Sequence, residues 1–185
     1  MMYVAPFPIF RAPVEIRMSA PELVIFDCDG VLVDSEIIAA RVEADIITRA
    51  GYEISPEEVS ESYAGLTFKE ILLRIEEKAS IPFSAALIDQ AEALTDKRLA
   101  NEVQAIDGVR EAMLPVTAPR CICSNSRTER IDLMLAKVGL KRFFEGNIFS
   151  SLETPSGKPK PAPDVFLYAA GKMNADPEKT FVIED

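Results

Sequence analysis

The order of strand-like and helix-like segments is the feature that most limits how this chain can fold. An apolar run at Leu23–Phe26, bounded by a proline and a glycine, is typical of a buried strand. The next strand-like run is Arg120–Ser124, and the sequence between these two runs has helical periodicity. Beyond the second strand, helical and strand-like segments alternate as far as Thr180–Ile183. Because strands that alternate with helices form parallel sheets, we predict an α/β, Rossmann-like parallel sheet with an inserted all-helical domain.

These patterns divide the chain into a core, an insertion and an extension. Residues 19–33 and 106–185 carry the strands and form the predicted core, whereas residues 34–105 are helical and form the predicted insertion. Within the insertion, Thr67–Glu70 has the form of a capping box, which begins a helix. Residues 1–18 contain three prolines and little periodicity, and we interpret them as a disordered N-terminal extension or a start-site artefact.

Composition excludes several classes of function. The net charge of −10 argues against nucleic acid or an anionic membrane as a partner, and no apolar run reaches the length of a membrane span. Histidine is absent from the 185 residues, which excludes Ser-His and Cys-His catalysis and histidine-based zinc sites. The three cysteines, Cys28, Cys121 and Cys123, lie in apolar segments and are expected to be free thiols in a reducing cytoplasm.

Acidic and polar side chains follow the predicted strands at the point where each strand ends. Asp27 and Asp29 come directly after the first strand, and residues two apart on a strand face the same side. Two neighbouring carboxylates repel unless one is protonated or a cation lies between them, and both conditions suit phosphoryl transfer. Ser124 ends the second strand, and Glu184 and Asp185 follow the last one. Since ligands bind beyond the carboxyl ends of parallel strands, we expect these residues to converge on one site.

Four segments in sequence order resemble the four motifs of the haloacid dehalogenase (HAD) superfamily. The first is Asp27–Glu36, with the sequence DCDGVLVDSE, and the second is Ser124–Ser126. The third is Lys160–Asp164 and the fourth is Val182–Asp185. Within the superfamily, the chain resembles the β-phosphoglucomutase-like group, whose helical cap follows the first motif. The resemblance implies the HAD fold, and it implies that the helical insertion is such a cap.

The resemblance also implies a role for each matched residue. Asp27 is implied to be the nucleophile that forms an aspartyl-phosphate, and Asp29 the general acid and base. Ser124 is implied to hydrogen-bond the phosphoryl oxygens, and Lys160 to neutralise charge on the phosphoryl group.

A metal ion and a set of substrate-binding residues are implied in the same way. The implied cofactor is Mg²⁺, held by Asp27, the main-chain carbonyl of Asp29 and Asp185, with Glu184 close by. The candidates for substrate binding follow the second motif or lie in the segment of the insertion where the family has its specificity loop: Asn125, Arg127, Gly65, Thr67 and Lys69.

Each of these assignments has a purely structural alternative. Asp29 and Gly30 together are an ordinary turn signal, and Ser124–Ser126 could cap the helix that follows. Glu184 and Asp185 could be solvated, and Lys160 lies in a proline-rich loop where exposed lysines are common. Arg127 could equally have a surface role.

The resemblance implies a Mg²⁺-dependent phosphatase that acts on a small phosphorylated metabolite, either a sugar phosphate or a sugar-acid phosphate. The alternative is a phosphosugar mutase, but such mutases use a cap histidine and a cap arginine, and Phe68 stands where that arginine is expected. Family members continue past the fourth motif, so we expect a chain truncated after Asp185, with an inactive domain as a further alternative. The protein is expected to be a cytoplasmic monomer or weak homo-oligomer.

Overall fold

The computed structural model describes residues 20–63, 66–79, 85–144 and 146–185, and a four-stranded parallel sheet lies at its centre. The strand order is β3-β2-β1-β4, and each neighbouring pair is parallel. This confirms the predicted α/β fold class. The strands are β1 (Leu23–Phe26), β2 (Arg120–Ser124), β3 (Ile148–Ser150) and β4 (Thr180–Ile183).

Seven α-helices are present in the described residues, and the first four of them follow β1 directly in sequence. Those four are α1 (Glu36–Arg49), α2 (Pro56–Ser62), α3 (Phe68–Ala79) and α4 (Ala85–Glu102), which we call the helical insertion. The other three are α5 (Val109–Met113), α6 (Thr128–Val138) and α7 (Asp164–Lys172). Short 3₁₀ turns occur at Lys141–Phe143, Ser151–Glu153 and Pro177–Lys179.

Both faces of the central strand β1 are buried against helices. Alternate residues of β1 point to opposite sides of the sheet. Val24 and Phe26 pack with buried residues of α5 and α6, whereas Leu23 and Ile25 pack with buried residues of α7. The buried thiols Cys121 and Cys123 belong to the α7 side. A strand that is buried on both faces needs consecutive apolar residues. This explains why Leu23–Phe26 of β1 and the Cys-Ile-Cys stretch of β2 are typical of strands.

The helical insertion has an apolar core of its own, separate from the two faces of the sheet. Its buried residues come from α1, α2, α3 and the connections between them: Ala40, Ala44, Ile47, Ile54, Val59, Tyr63, Ile71, Leu72 and Ile75. The two chain segments that join the insertion to the sheet run side by side. Val33 forms an antiparallel bridge with Ala105, and Asp34 donates its N–H to the carbonyl of Gln104 at 3.0 Å.

The predicted capping box at the start of α3 is present. The Glu70 carboxylate accepts the N–H of Thr67 at 2.7 Å, and the Thr67 hydroxyl accepts the N–H of Glu70 at 3.3 Å. The two side chains thus satisfy backbone donors that the first helical turn leaves unpaired. This contact fixes where α3 begins.

Exposed apolar side chains are most concentrated on β4. Phe181, Val182 and Ile183 are each between 41% and 44% exposed, whereas the residues of β1 are buried. No helix in the described ranges has both the length and the apolar composition needed to cross a lipid bilayer.

Candidate active site

Four segments meet at the carboxyl ends of the parallel strands. Asp27 directly follows β1, Ser124 is the last residue of β2, and Glu184 and Asp185 directly follow β4. The fourth segment is the loop before α7, which carries Lys160. The contacts described below join all of these residues in one site.

The carboxylate of Asp27 is buried and bonded on both oxygens. Its Oδ1 accepts the N–H of Cys28 at 2.7 Å, and its Oδ2 lies 2.7 Å from Nζ of Lys160. The same Nζ lies 3.1 Å from Oε1 of Glu184. Asp27 is only 7% exposed, and the Lys160 side chain 12%. The structure therefore places the predicted nucleophile and the predicted cation in direct contact, while Lys158 pairs with Asp164 at the surface.

Burial and charge act in opposite directions on this ion pair. Burial raises the pKa of Asp27 to about 6, although the bond to Lys160 and its charge lower it. Burial lowers the pKa of Lys160, but the bonds and charges of Asp27 and Glu184 outweigh burial and raise it overall. Lys160 is thus a fixed positive charge against a carboxylate that has lost most of its hydration.

The side chain of Asn125 is bonded to the main chain of Lys160. Its Oδ1 accepts the N–H of Lys160 at 2.8 Å, and its Nδ2 donates to the carbonyl of Lys160 at 3.3 Å. The Ser151 hydroxyl donates to the same Oδ1 at 2.7 Å. The amide of Asn125 thus positions the loop that carries the lysine, and its predicted contact with substrate stays a prediction.

The second acid, Asp29, accepts hydrogen bonds from three hydroxyl groups. Ser35 Oγ donates to Asp29 Oδ1 at 2.6 Å. Ser124 Oγ and Ser126 Oγ donate to Oδ2 at 3.1 Å and 2.9 Å. The Ser124 hydroxyl also accepts the N–H of Ser126 at 2.9 Å. Ser124, predicted to contact the phosphoryl group, is therefore bonded to Asp29, and its contact with a phosphoryl group stays a prediction.

Two of these serines were not among the predicted site residues, although the sequence carries a signal for each. Ser35 stands at the N-cap of α1, where serine normally bonds the first turn, but it makes no such bond because its hydroxyl contacts Asp29. Ser126 belongs to the second motif, but the motif alone implies no role for its hydroxyl. The helix after it, α6, is capped by Glu153, which accepts the N–H and the hydroxyl of Thr128 at 3.0 and 2.9 Å.

Three carboxylates at the site have the spacing of a metal site. Ligand oxygens of Asp27, Glu184 and Asp185 all lie within 4.8 Å of one another. An all-oxygen donor set with this much negative charge suits a hard divalent cation such as Mg²⁺ or Ca²⁺ and does not suit a soft one. The residues present thus fit the implied Mg²⁺. Ligation by the main-chain carbonyl of Asp29 stays a prediction.

Gly30 allows the Asp185 carboxylate to approach the first motif. Its φ is +77°, and a Cβ at this position would lie 2.6 Å from Oδ2 of Asp185. Gly108 has almost the same φ, +78°, but a Cβ there would meet no atom within 4 Å. An alanine at either position would therefore meet the same backbone strain, but only alanine at position 30 would displace a carboxylate.

We expect Gly30→Ala to weaken Mg²⁺ binding at least about tenfold, because it displaces Asp185 and so distorts the ligand set. It should also lower the free energy of unfolding by about 1 kcal/mol, the usual order of cost for alanine at positive φ. The measurements are activity as a function of Mg²⁺ concentration and unfolding in urea. Gly108→Ala is the matched control, and equal loss of metal affinity in both variants would contradict this account.

The predicted substrate-binding residues of the insertion and of the second motif lie in different surroundings. The Arg127 guanidinium contacts α4, with Nη2 2.9 Å from Asp96 Oδ2 and 3.9 Å from Glu92 Oε2. The Thr67 hydroxyl is used in the capping box, and Lys69 lines a cavity between α1, α3, α4 and α6. Gly65 lies outside the described residues. A contact of these residues with substrate stays a prediction.

Glu43 is an acidic residue of α1 that sequence reasoning missed. It is partly buried and lines the same cavity as Lys69. Burial raises the pKa of Glu43 to about 7, and no neighbouring charge or hydrogen bond of the described residues offsets this effect. No motif marks this position, and a glutamate on a helix of the insertion is expected from sequence to be solvated.

The raised pKa predicts how stability depends on pH. Between the unfolded value of 4.5 and the folded value of about 7, the native state binds more protons than the unfolded state, so stability falls as pH rises. Because of this group, the free energy of unfolding of wild-type protein should be about 2–3 kcal/mol lower at pH 8 than at pH 4. Glu43→Gln should remove that difference. Urea unfolding at both pH values tests this, with exposed Glu53→Gln as control. A Glu43→Gln protein with the wild-type pH dependence would contradict it.

Comparison with known proteins agrees with the geometry of the site. A family model described as haloacid dehalogenase-like hydrolase matches residues 21–185. The chain is 30% identical over 169 residues to 6-phosphogluconate phosphatase of Escherichia coli K12, a match that covers 91% of this chain and 76% of that protein.

Solved structures give the same result. A conserved haloacid dehalogenase-like protein of unknown function from Agrobacterium tumefaciens is 53% identical, with a TM-score of 0.82 over 89% of this chain and 74% of that one. A HAD family hydrolase from Deinococcus radiodurans, with bound phosphate and sodium, is 30% identical, with a TM-score of 0.72 over 90% and 74% of the two chains. The chain therefore belongs to the haloacid dehalogenase-like hydrolase family.

Proposed function

We propose that this protein is a Mg²⁺-dependent phosphatase that hydrolyses a small phosphorylated metabolite through an aspartyl-phosphate on Asp27. The observation that carries the proposal is the surroundings of Asp27. Its buried carboxylate lies 2.7 Å from Lys160, and one of its oxygens lies within 4.8 Å of carboxylate oxygens of Glu184 and Asp185. Support also comes from the family and from a phosphatase relative that is 30% identical.

In the first step, an oxygen of Asp27 attacks phosphorus and the bond from phosphorus to the ester oxygen breaks. The leaving oxygen takes a proton from the carboxyl group of Asp29 and departs as the alcohol. Lys160 keeps its positive charge beside the attacking carboxylate, which reduces repulsion between this carboxylate and the phosphate. Ser35, Ser124 and Ser126 orient the Asp29 carboxyl group through its two oxygens.

In the second step, a water molecule attacks phosphorus of the aspartyl-phosphate. Asp29 accepts a proton from this water, and the bond from phosphorus to Asp27 breaks. Inorganic phosphate leaves, and Asp27 and Asp29 return to their starting states. One residue thus acts first as the acid and then as the base.

Asp27, Asp185 and Glu184 are the residues that would hold Mg²⁺. When bound, the ion supplies positive charge next to the phosphoryl oxygens and the attacking carboxylate. Such charge also favours the ionised form of Asp27, whose pKa is raised by burial. This chain's own contribution is to hold three acidic residues and one lysine at fixed positions around the phosphate.

A phosphatase is favoured over a phosphosugar mutase by the residues of the insertion. A mutase must retain a bisphosphate intermediate, which requires additional cationic groups outside the phosphoryl site. The chain contains no histidine, and the insertion residue at position 68 is phenylalanine. The pair Arg127 and Arg130 is neutralised in part by Asp96, to which both are bonded.

The test is metal-dependent hydrolysis of 4-nitrophenyl phosphate by the purified protein. We expect removal of metal with EDTA to reduce the rate at least about 100-fold, because the three carboxylates would repel the phosphate without a cation. Added Mg²⁺ should restore the rate. Hydrolysis at the full rate in EDTA would contradict the proposal, and conversion of a hexose phosphate to its isomer without phosphate release would support a mutase.

A further inference from the structure

Two adjoining cavities border the face of α1 that begins near the catalytic acids. One, of about 200 Å³, is lined by Glu36, Ala39, Ala40 and Glu43 of α1 together with residues of α2 and α3. The other, of about 230 Å³, is lined by Ala39 and Glu43 together with residues of α3, α4 and α6. Because both cavities include Ala39 and Glu43, the Glu43 side chain borders both. Their combined size is within the range of small-molecule sites, roughly 300–1,000 Å³.

The face of α1 leads from the catalytic acids into these cavities. Ser35, the N-cap of α1, donates its hydroxyl to Asp29 at 2.6 Å, so Glu36 in the first turn begins beside the catalytic acids. Burial and the charges of Asp185 and Asp29 raise the pKa of Glu36. Positions 36, 39, 40 and 43 share one face of a helix, and seven residues of helix span about 10 Å. Ala39 and Ala40 have small side chains, so space is left along this face. Glu43 therefore lies about one small substrate molecule away from the site of phosphoryl transfer.

We propose that the Glu43 carboxyl group binds hydroxyl groups on the organic part of the substrate, and that the substrate is a neutral polyol or sugar phosphate rather than a sugar-acid phosphate. This inference rests on the proposed phosphatase function and narrows its substrate class. Glu43 is on this account a specificity residue, and it takes no part in the chemistry at phosphorus.

The charges that line the cavities support the choice of a neutral organic group. Three acidic residues, Glu36, Glu43 and Glu92, face two basic residues, Lys69 and Arg130. Arg130 is already paired with Asp96, at 2.6 Å between Nε and Oδ1, and Glu92 lies 3.9 Å from Arg127. Glu36 and Glu43 are then left against Lys69. The segments of the insertion outside the described residues, 64–65 and 80–84, contain no charged residue. A second anionic group on the substrate would thus meet a surplus of negative charge.

The hydrogen-bonding state of Glu43 supports recognition of hydroxyl groups. Its carboxyl group has two oxygens that accept hydrogen bonds, and the described residues supply no partner to either. A hydroxyl group of a ligand in the cavity could donate a hydrogen bond to these oxygens. A polyol chain that carries the phosphate at one end is long enough to bring several hydroxyl groups close to Glu43.

The test compares two probes that differ at one carbon. Sorbitol 6-phosphate ends in a hydroxymethyl group, and 6-phosphogluconate ends in a carboxylate at the same carbon. Binding is measured by calorimetry at pH 8 with Mg²⁺, in Asp27→Asn protein so that neither probe is hydrolysed. We expect the polyol phosphate to bind at least about tenfold more tightly. We further expect that Glu43→Gln, added to Asp27→Asn, reduces this ratio at least about fivefold, because it removes the charge that repels the acid.

Asp45→Asn in the same Asp27→Asn protein is the matched control. Asp45 lies on α1 and pairs with Arg49 at 2.8 Å, and it lines neither cavity, so the ratio should not change. Tighter binding of 6-phosphogluconate, or a ratio that Glu43→Gln leaves unchanged, would overturn the inference. Because calorimetry does not depend on turnover, the ratio decides the role of Glu43 even if wild-type protein fails to hydrolyse 4-nitrophenyl phosphate, a result that would count against the proposed function alone.

Discussion

Asp27→Asn is expected to lower the rate of phosphate ester hydrolysis by at least about 10³-fold, since it removes the group that attacks phosphorus. Asparagine has nearly the same shape as aspartate, and its amide oxygen can still accept the N–H of Cys28, which bonds Asp27 at 2.7 Å. Lys160 keeps its contact with Glu184, so its charge is not left unpaired. Asp27→Asn should therefore lower kcat without unfolding the protein. The measurements are steady-state hydrolysis of 4-nitrophenyl phosphate with Mg²⁺ and thermal unfolding of the same samples.

Asp89→Asn is the control for this experiment, because Asp89 is an exposed residue of α4 far along the insertion from the catalytic acids. It makes the same chemical change and should leave the rate within about twofold of wild type, as is usual for surface substitutions. If Asp27→Asn retained a rate near that of wild type, a covalent intermediate on Asp27 would be ruled out.

Lys160→Met is expected to reduce both activity and stability. It leaves the buried carboxylate of Asp27 beside Glu184 and Asp185 with no positive charge, and loss of one partner of a buried ion pair costs about 3 kcal/mol. Hydrolysis should fall at least about 100-fold, because the phosphate would then approach an uncompensated negative site. The stability loss is measured by urea unfolding in EDTA, where no metal ion can replace the lysine charge.

Two variants separate charge from other effects of this substitution. Lys158→Met changes a lysine two residues away that is two-thirds exposed and forms a long surface ion pair, 3.7 Å, with Asp164. It should change the free energy of unfolding by no more than about 0.5 kcal/mol. Lys160→Arg retains the charge but changes the geometry of the donor group, and it should recover most of the stability and less of the activity. Equal destabilisation by Lys158→Met and Lys160→Met would contradict a specific role for Lys160.

The two central strands of the sheet, β1 and β2, could be predicted from sequence because they are buried on both faces. Leu23–Phe26 and Arg120–Ser124 read as strands since each is a short apolar run, and the helices between them have their own periodicity. The capping box at Thr67 and Glu70 could be predicted for a related reason, since both partners lie within one helical turn. Local patterns of this kind need no knowledge of distant contacts.

The site was predictable in its location and less so in its contacts. Polar residues at the ends of parallel strands were expected to converge, and carboxylate oxygens of Asp27, Glu184 and Asp185 lie within 4.8 Å of one another. The bonds from Asn125 to the main chain of Lys160 join residues 35 apart, and no local pattern marks them. Glu43 was missed because its importance depends on which helices close around it.

The bonds that Asn125 makes to residue 160 reach its main-chain N–H and carbonyl, which every amino acid except proline carries. The path of this loop is therefore specified by position 125, and the charge beside Asp27 is specified by the side chain at position 160. The two properties can change independently, so substitutions at position 160 alter the local electric field while the loop keeps its place. This separation makes position 160 a good site at which to vary the charge beside the nucleophile in steps, for example through chemically modified lysine analogues, and to measure how the rate responds to charge alone.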